Sequence, residues 1–212
     1  MPRICGTGQY FFGSYTGDML PQSFFTQDAV SLAEALLGCE LVHTNDGNTT
    51  AGIIVETEAY RQDDEASHSF RGQTPRNAVM FGPGGYAYVY FTYGMHYCFN
   101  IVAGQKGFAE AVLIRALQPT QGIEVMEQRR HTTDPHNLCS GPAKLAQAMR
   151  LGPDQYGASL TMPLLHIRDR KLAPSMLTGP RIGIKHAVDQ PWRFWVAENP
   201  YITKHIFNKR PV

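Results

Sequence analysis

The chain has 212 residues, 43% of them hydrophobic and 17% charged, with a formal net charge of +1. That length suits one domain with a proper core, and the composition excludes a disordered chain. No apolar run approaches the roughly 20 residues of a membrane span, so no membrane partner is expected.

The N-terminus lacks the continuous apolar segment of a secretory signal. The four cysteines (Cys5, Cys39, Cys98, Cys139) form no C-x-x-C pair. We therefore expect an intracellular setting (cytoplasm or nucleoid in a bacterium, nucleus in a eukaryote), with neither a zinc ribbon nor a disulfide scaffold. Charge is unevenly spread. Residues 1–70 hold 2 Lys/Arg against 10 Asp/Glu, and residues 71–212 hold 17 against 8. Such asymmetry fits a basic binding face, and equally fits charges that mix again on folding.

Residues 1–22 match no pattern and read as an N-terminal arm, either free or packed against an edge. Residues 23–212 read as one domain. "TQDAVSLAEALLG" (26–38) predicts an amphipathic helix capped by Thr26 and ended by Gly38. "CELVH", "NDGNTT" and "AGIIVETEAY" follow as strand, turn and strand. Residues 73–85 form a Gly/Pro loop. "YAYVYFTYGMHYCFNIV" (86–102) is β-prone, with a turn near Tyr93-Gly94-Met95-His96. "EAVLIRALQP" (110–119) predicts a strand stopped by Pro119. Helices are predicted over 122–130 and from Ser140 to Gly152, and short strands over 181–187 and 193–197. Hairpins dominate, so the fold class is α+β: a single curved antiparallel sheet with a few peripheral helices and a protruding β-hairpin.

Strand alternation puts Ile54, Glu56, Glu58 and Tyr60 on one face of their strand, and Ile53, Val55, Thr57 and Ala59 on the other. The Thr/Ala face reads as core; the Glu/Tyr face must meet water, a cation or a site. Arg115 lies within an apolar strand, with Leu113 and Leu117 on its own face, and there it needs a carboxylate partner. Glu56 or Glu58 would serve. A purely structural pair, or an arginine reaching solvent, are the plain alternatives. Residues 86–100 are rich in tyrosine, whose buried hydroxyls each need a partner. Tyr93 sits at a hairpin tip, as a residue inserted into something else would. H-E-x-x-H, G-x-S-x-G, the P-loop and the dinucleotide fingerprint are all missing from the sequence. The set of residues suits a flat, electron-poor or cationic ring.

"VETEAY", "EASHS", "QTPRN", "YVY..YGM.YC.N", "AVLIRAL.P" and "LCSGPAKL", in that order, resemble the alkyladenine (3-methylpurine) DNA glycosylase family. "FFTQDAVSLAEALLGCELV" and "RIGIKHA...WRFWV" are similar to it too, so the likeness runs from about Phe24 to Tyr201. The resemblance implies base excision repair. A damaged purine, alkylated or deaminated, is flipped from double-stranded DNA and its N-glycosidic bond hydrolysed, leaving an abasic site without strand nicking. It implies Glu58 as the base that activates water and Arg115 as a holder of that water. Tyr60, His68 and Tyr90 would be the walls around the base, and Asn100 would oppose the 2-amino group of guanine. Tyr93 would be the wedge in the helix, with Met95 beside it, and Ile184 would lie near the water through its main chain. It implies a monomer with no metal or cofactor. The sequence departs from the family pattern at His96, beside the wedge, at Lys185, and in a segment between Tyr60 and His68 shorter by about one residue. Two other readings remain open on residue chemistry: a sugar-polymer hydrolase using Glu56 and Glu58 as a pair, and a non-catalytic module that reads damaged DNA.

Overall fold

The computed structural model describes residues 18–170 and 173–205. Among the described residues nine strands make one curled antiparallel sheet: β1 (Glu40–Asn45), β2 (Asn48–Tyr60), β3 (Ala87–Thr92), β4 (His96–Val102), β5 (Ala111–Gln121), β6 (Thr161–Met162), β7 (Leu165–Arg168), β8 (Met176–Gly179) and β9 (Arg193–Val196). Their order is β3-β4-β5-β2-β1-β7-β6, with β9 on β2 and β8 on β9. Four helices lie around it: α1 (Ala29–Leu36), α2 (Ile123–Arg130), α3 (Pro135–Leu138) and α4 (Pro142–Met149). The expected α+β class, with its single curved sheet and hairpin, is the fold.

Strand β2 is the axis of the sheet. Its first half pairs with β1 up to Ile53, and its second half takes β9 over Glu56–Glu58, while β5 runs along the other edge. Register shifts between Ile54 and Thr57 mark a β-bulge where the partner changes. A bulge re-aims side chains, which corrects the simple alternation: Ile54 joins Ala59 in the main core instead of sharing the face of Glu56 and Glu58. Thr57 Oγ1 donates to the Ala33 carbonyl and so faces α1 (2.9 Å). Leu32 and Leu36 of α1, with Leu145 and Met149 of α4, fill the same core.

Several predicted boundaries move. Asp28, not Thr26, caps α1, accepting from the N–H groups of Val30 and Ser31 (3.0 and 3.1 Å); Thr26 falls in a preceding 3-10 turn. The helix predicted from Ser140 starts at Pro142, whose missing N–H and fixed φ suit a first helical position. It ends on Arg150 with φ 54° rather than at Gly152. Strand β5 does not stop at Pro119. It runs to Gln121, because Pro119 faces Gly52 at a second register shift, where a missing N–H is tolerated.

Residues 181–187 form no strand; β9 pairs with β8 and β2 instead. Gly183 has φ 79°, and Arg181 turns inward to an ion pair, so the apolar alternation of "RIGIK" never meets a neighbouring strand. Most of the N-terminal arm lies outside the described residues. Its end, at Met19 and Leu20, pairs with Arg168 and Ile167 of β7. Among the described residues no helix is long and apolar enough to cross a membrane.

Candidate active site

Glu56 and Glu58 are both fully buried. Arg115, on the neighbouring strand β5, lies between them: its Nε donates to Glu56 Oε1 and its Nη1 to Glu58 Oε2, each at 3.2 Å. Glu56 is further engaged by Arg193 Nε (2.7 Å) on Oε1 and by the Thr203 N–H (2.7 Å) on Oε2. Glu58 accepts from the Tyr60 hydroxyl on Oε2 (2.8 Å) and from the Ile182 N–H on Oε1 (2.7 Å). Buried charges persist only when paired and hydrogen-bonded in this way. Burial works against the Arg115 charge, but Glu58 and Glu56 outweigh it and hold the guanidinium above its ordinary range. Burial, and then the Glu58 carboxylate, push the Tyr60 phenol well up, so Tyr60 is a neutral donor.

In front of this cluster lies a cavity of about 350 Å³. Tyr60, Arg115 and Ile182 line it, so Glu58 stands directly behind three of its wall residues. Of the positions singled out in the sequence, Tyr60, His68, Tyr90, Tyr93, Asn100, Arg115 and Ile184 share this one cavity. Met95 does not line it, and is 68% exposed in the hairpin turn. Lys185 is exposed and also lines the cavity.

The aromatic wall is held by specific contacts. His68 Nδ1 meets the Tyr88 hydroxyl at 2.8 Å, and its ring meets Tyr90 edge-on at 4.6 Å. Asn77 Nδ2 donates to the His68 carbonyl (2.8 Å), and Asn100 Nδ2 to the Tyr88 carbonyl (3.0 Å). Burial, helped by Arg76, lowers the His68 pKa, which keeps the ring neutral. Burial raises the Tyr88 phenol to about 12 and pushes Tyr90 up as well.

The hairpin β3–β4 carries Tyr93 in its turn. Tyr93 (φ 51°) and Gly94 (φ 68°) both have positive φ, and the Met95 N–H donates to the Thr92 carbonyl (3.2 Å). Glycine adopts this conformation freely, whereas a bulky aromatic is an outlier there. Such outliers cluster at functional sites, and Tyr93 is 83% exposed.

Sequence reasoning missed four residues of the site. Tyr88 orients His68, and its only signal was the excess of hydroxyls in its strand. Arg193 is a second arginine on Glu56 Oε1, with its guanidinium carbon 4.5 Å from the Trp195 ring centroid. Asp64 and Arg181 form a fully buried ion pair between two loops. Among the described residues no group of three His, Cys, Asp or Glu side chains could hold a metal ion.

The sequence profile of the methylpurine-DNA glycosylase (MPG) family matches residues 23–200. A relative from Chlorobaculum tepidum, named as a 3-methyladenine DNA glycosylase, is 51% identical over 189 residues, which cover 87% of this chain and 90% of its own. Relatives from Agrobacterium fabrum (49% over 185 residues, 87% and 92% covered) and Methanoculleus marisnigri (47% over 190 residues, 87% and 98% covered) carry the same name.

Proposed function

The chain belongs to the methylpurine-DNA glycosylase family, DNA-repair hydrolases of N-glycosyl bonds that act on DNA bearing a damaged base, and from that premise we propose how its own residues do this. A damaged purine nucleotide leaves the duplex and enters the cavity between Tyr60, His68 and Tyr90. Tyr93 fills the gap it leaves, and its exposure in a strained hairpin turn supports that role. Alkylation at N3 or N7 makes the purine cationic, and aromatic faces hold a cation better than a neutral base.

Glu58 acts as the base. Its Oε1 accepts only one N–H in the hydrogen bonds above, from Ile182, which leaves a lone pair for a water. Arg115 keeps the carboxylate paired on its other oxygen. The water oxygen attacks C1′ as the C1′–N9 bond breaks. Its proton passes to Glu58, and the bonding electrons leave with the base, neutralising a purine cation. The sugar passes through an oxocarbenium-like state, which a buried carboxylate stabilises. An abasic site remains.

The single observation that carries this reading is the position of Glu58: fully buried, triply hydrogen-bonded and directly behind the aromatic cavity. Glu56 has both oxygens engaged by Arg115, Arg193 and Thr203, which suits a supporting role better than half of a sugar-hydrolase acid/base pair. Base release from a panel of single-lesion duplexes tests the proposal. Wild-type protein should release 3-methyladenine. Glu58→Gln should lose on the order of 10³-fold in rate while still binding the lesion. Release by Glu58→Gln within tenfold of wild type would sink the assignment. Binding without release by the wild-type protein would favour a non-catalytic module.

A further inference from the structure

Residues 181–187 flank the cavity yet have no strand ladder to hold them. Besides the Ile182 N–H bond to Glu58, their anchor in the fold is the Arg181 side chain. Arg181 donates through Nη1 and Nη2 to both oxygens of Asp64, through Nη1 to the Ala59 carbonyl (2.9 Å) and through Nη2 to the Ala187 carbonyl (3.4 Å). Both side chains are fully buried. The guanidinium carbon lies 4.7 Å from the Tyr60 ring centroid and 5.3 Å from that of Trp192.

We propose that the Arg181–Asp64 pair is a positioning device of the active site, setting the Tyr60 ring and the Ile182 N–H that orients Glu58, and thereby the rate of base release. The inference rests on the reading of Glu58 given above. Three links carry it. Arg181 stacks on Tyr60, which lines the cavity and donates to Glu58. Its chain neighbour Ile182 donates to the other Glu58 oxygen. Its partner Asp64 accepts from the Ala66 N–H (3.0 Å) through Oδ1, and from the Ser67 N–H (2.8 Å) through its carbonyl, shaping the loop that delivers His68.

A buried ion pair is weak support for stability, because desolvation offsets most of the attraction. Arg181 Nε is moreover buried without a hydrogen-bond partner among the described residues. That is a cost a pure stability device would avoid. A planar fork that stacks and bonds at once explains arginine here; the point-charge ammonium of lysine has no such fork.

Arg181→Lys and Asp64→Glu test this, each measured for melting temperature, lesion-DNA affinity and single-turnover base release. An active-site displacement near 1 Å can cost about 10²-fold in rate, so folded Arg181→Lys should lose roughly that in release, with its affinity changed less than tenfold. A merely structural role would instead lower melting temperature and active fraction together, leaving the rate per folded molecule unchanged. Folded variants that release base at the wild-type rate would overturn the proposal, as would failure of both to fold, which assigns the pair to stability alone. Glu58→Gln is run beside them: if it stays active, the reading of Glu58 fails; if it is inactive while folded Arg181→Lys works normally, only this inference fails.

Discussion

Glu58 stands behind the cavity and Tyr93 lines it, yet one has no exposed surface and the other is 83% exposed. Glu58 belongs to β2, flanked by β5 and β9, and shares Arg115 with Glu56 in a buried chain of ion pairs, Arg193–Glu56–Arg115–Glu58. Tyr93 belongs to a three-residue turn between β3 and β4, and its backbone holds a conformation unfavourable to a large side chain. The contrast has a physical basis. A carboxylate acting as base must be fixed and shielded from bulk solvent, since a low-dielectric surround strengthens every charge contact it makes. A side chain that fills a gap in DNA must project from the surface before any partner arrives. Stability and chemistry are therefore coupled in the first region, and the second can change without disturbing the fold.

Glu56→Gln probes that coupling hardest. Neutralising Glu56 removes the buried carboxylate that Arg193 Nε and Arg115 Nε share. Breaking such a pair costs on the order of 3 kcal/mol, which urea unfolding will read. Base release should fall only about tenfold, because Glu58 keeps Arg115, Tyr60 and Ile182. The pair of glutamates then separates cleanly: Glu58→Gln loses rate, and Glu56→Gln loses mainly stability. Equal and total loss of base release in both variants would merge their roles and favour an acid/base pair.

Tyr93→Ser probes the other region. Stacking against bases is worth roughly 1–3 kcal/mol, so lesion-DNA affinity should weaken about 10- to 100-fold. The melting temperature should stay within about 2 °C, as for surface substitutions generally. A large drop in melting temperature would place Tyr93 in the core of the fold and erase the contrast with Glu58.

The two regions were unequally legible in the sequence. The hairpin was visible because its signals are local: β-prone runs on either side of Tyr93-Gly94. On β2, strict alternation placed Glu56, Glu58 and Tyr60 together, and the need of a buried arginine for a partner pointed Arg115 at them. The bulge near Val55 was invisible, since nothing local marks where β1 gives way to β9. Asp64 and Arg181 lie 117 positions apart, and no pattern joins them. "RIGIK" reads as a strand by its alternation. Burying Arg181 on Asp64 decides otherwise, which is tertiary pairing overriding local propensity.

The smallest expected effect lies between the two regions, at His68. Burial first, and Arg76 second, lower its pKa below the ordinary value of about 6.5. Arg76 sits over the Tyr90 ring at 5.3 Å and donates to the Phe91 carbonyl beside the hairpin turn, so it belongs to the exposed region. Below about pH 6.5 the unfolded chain binds more protons at this position than the folded one. The His68 contribution to stability is therefore complete above that pH, and is lost as pH falls through the folded pKa. Protonation would also place a positive charge in the wall that, on the proposed reading, holds a cationic base, so release of 3-methyladenine should decline on the same acid side. Arg76→Gln removes the lesser cause only. An NMR titration of the His68 ring should show a midpoint below 6.5 in the wild type and a modest rise in the variant, still below 6.5, with the acid limb of base release moving to higher pH alongside it. A midpoint unchanged by Arg76→Gln would mean that burial alone keeps His68 neutral, and that the hairpin side of the cavity has no electrostatic hold on its wall.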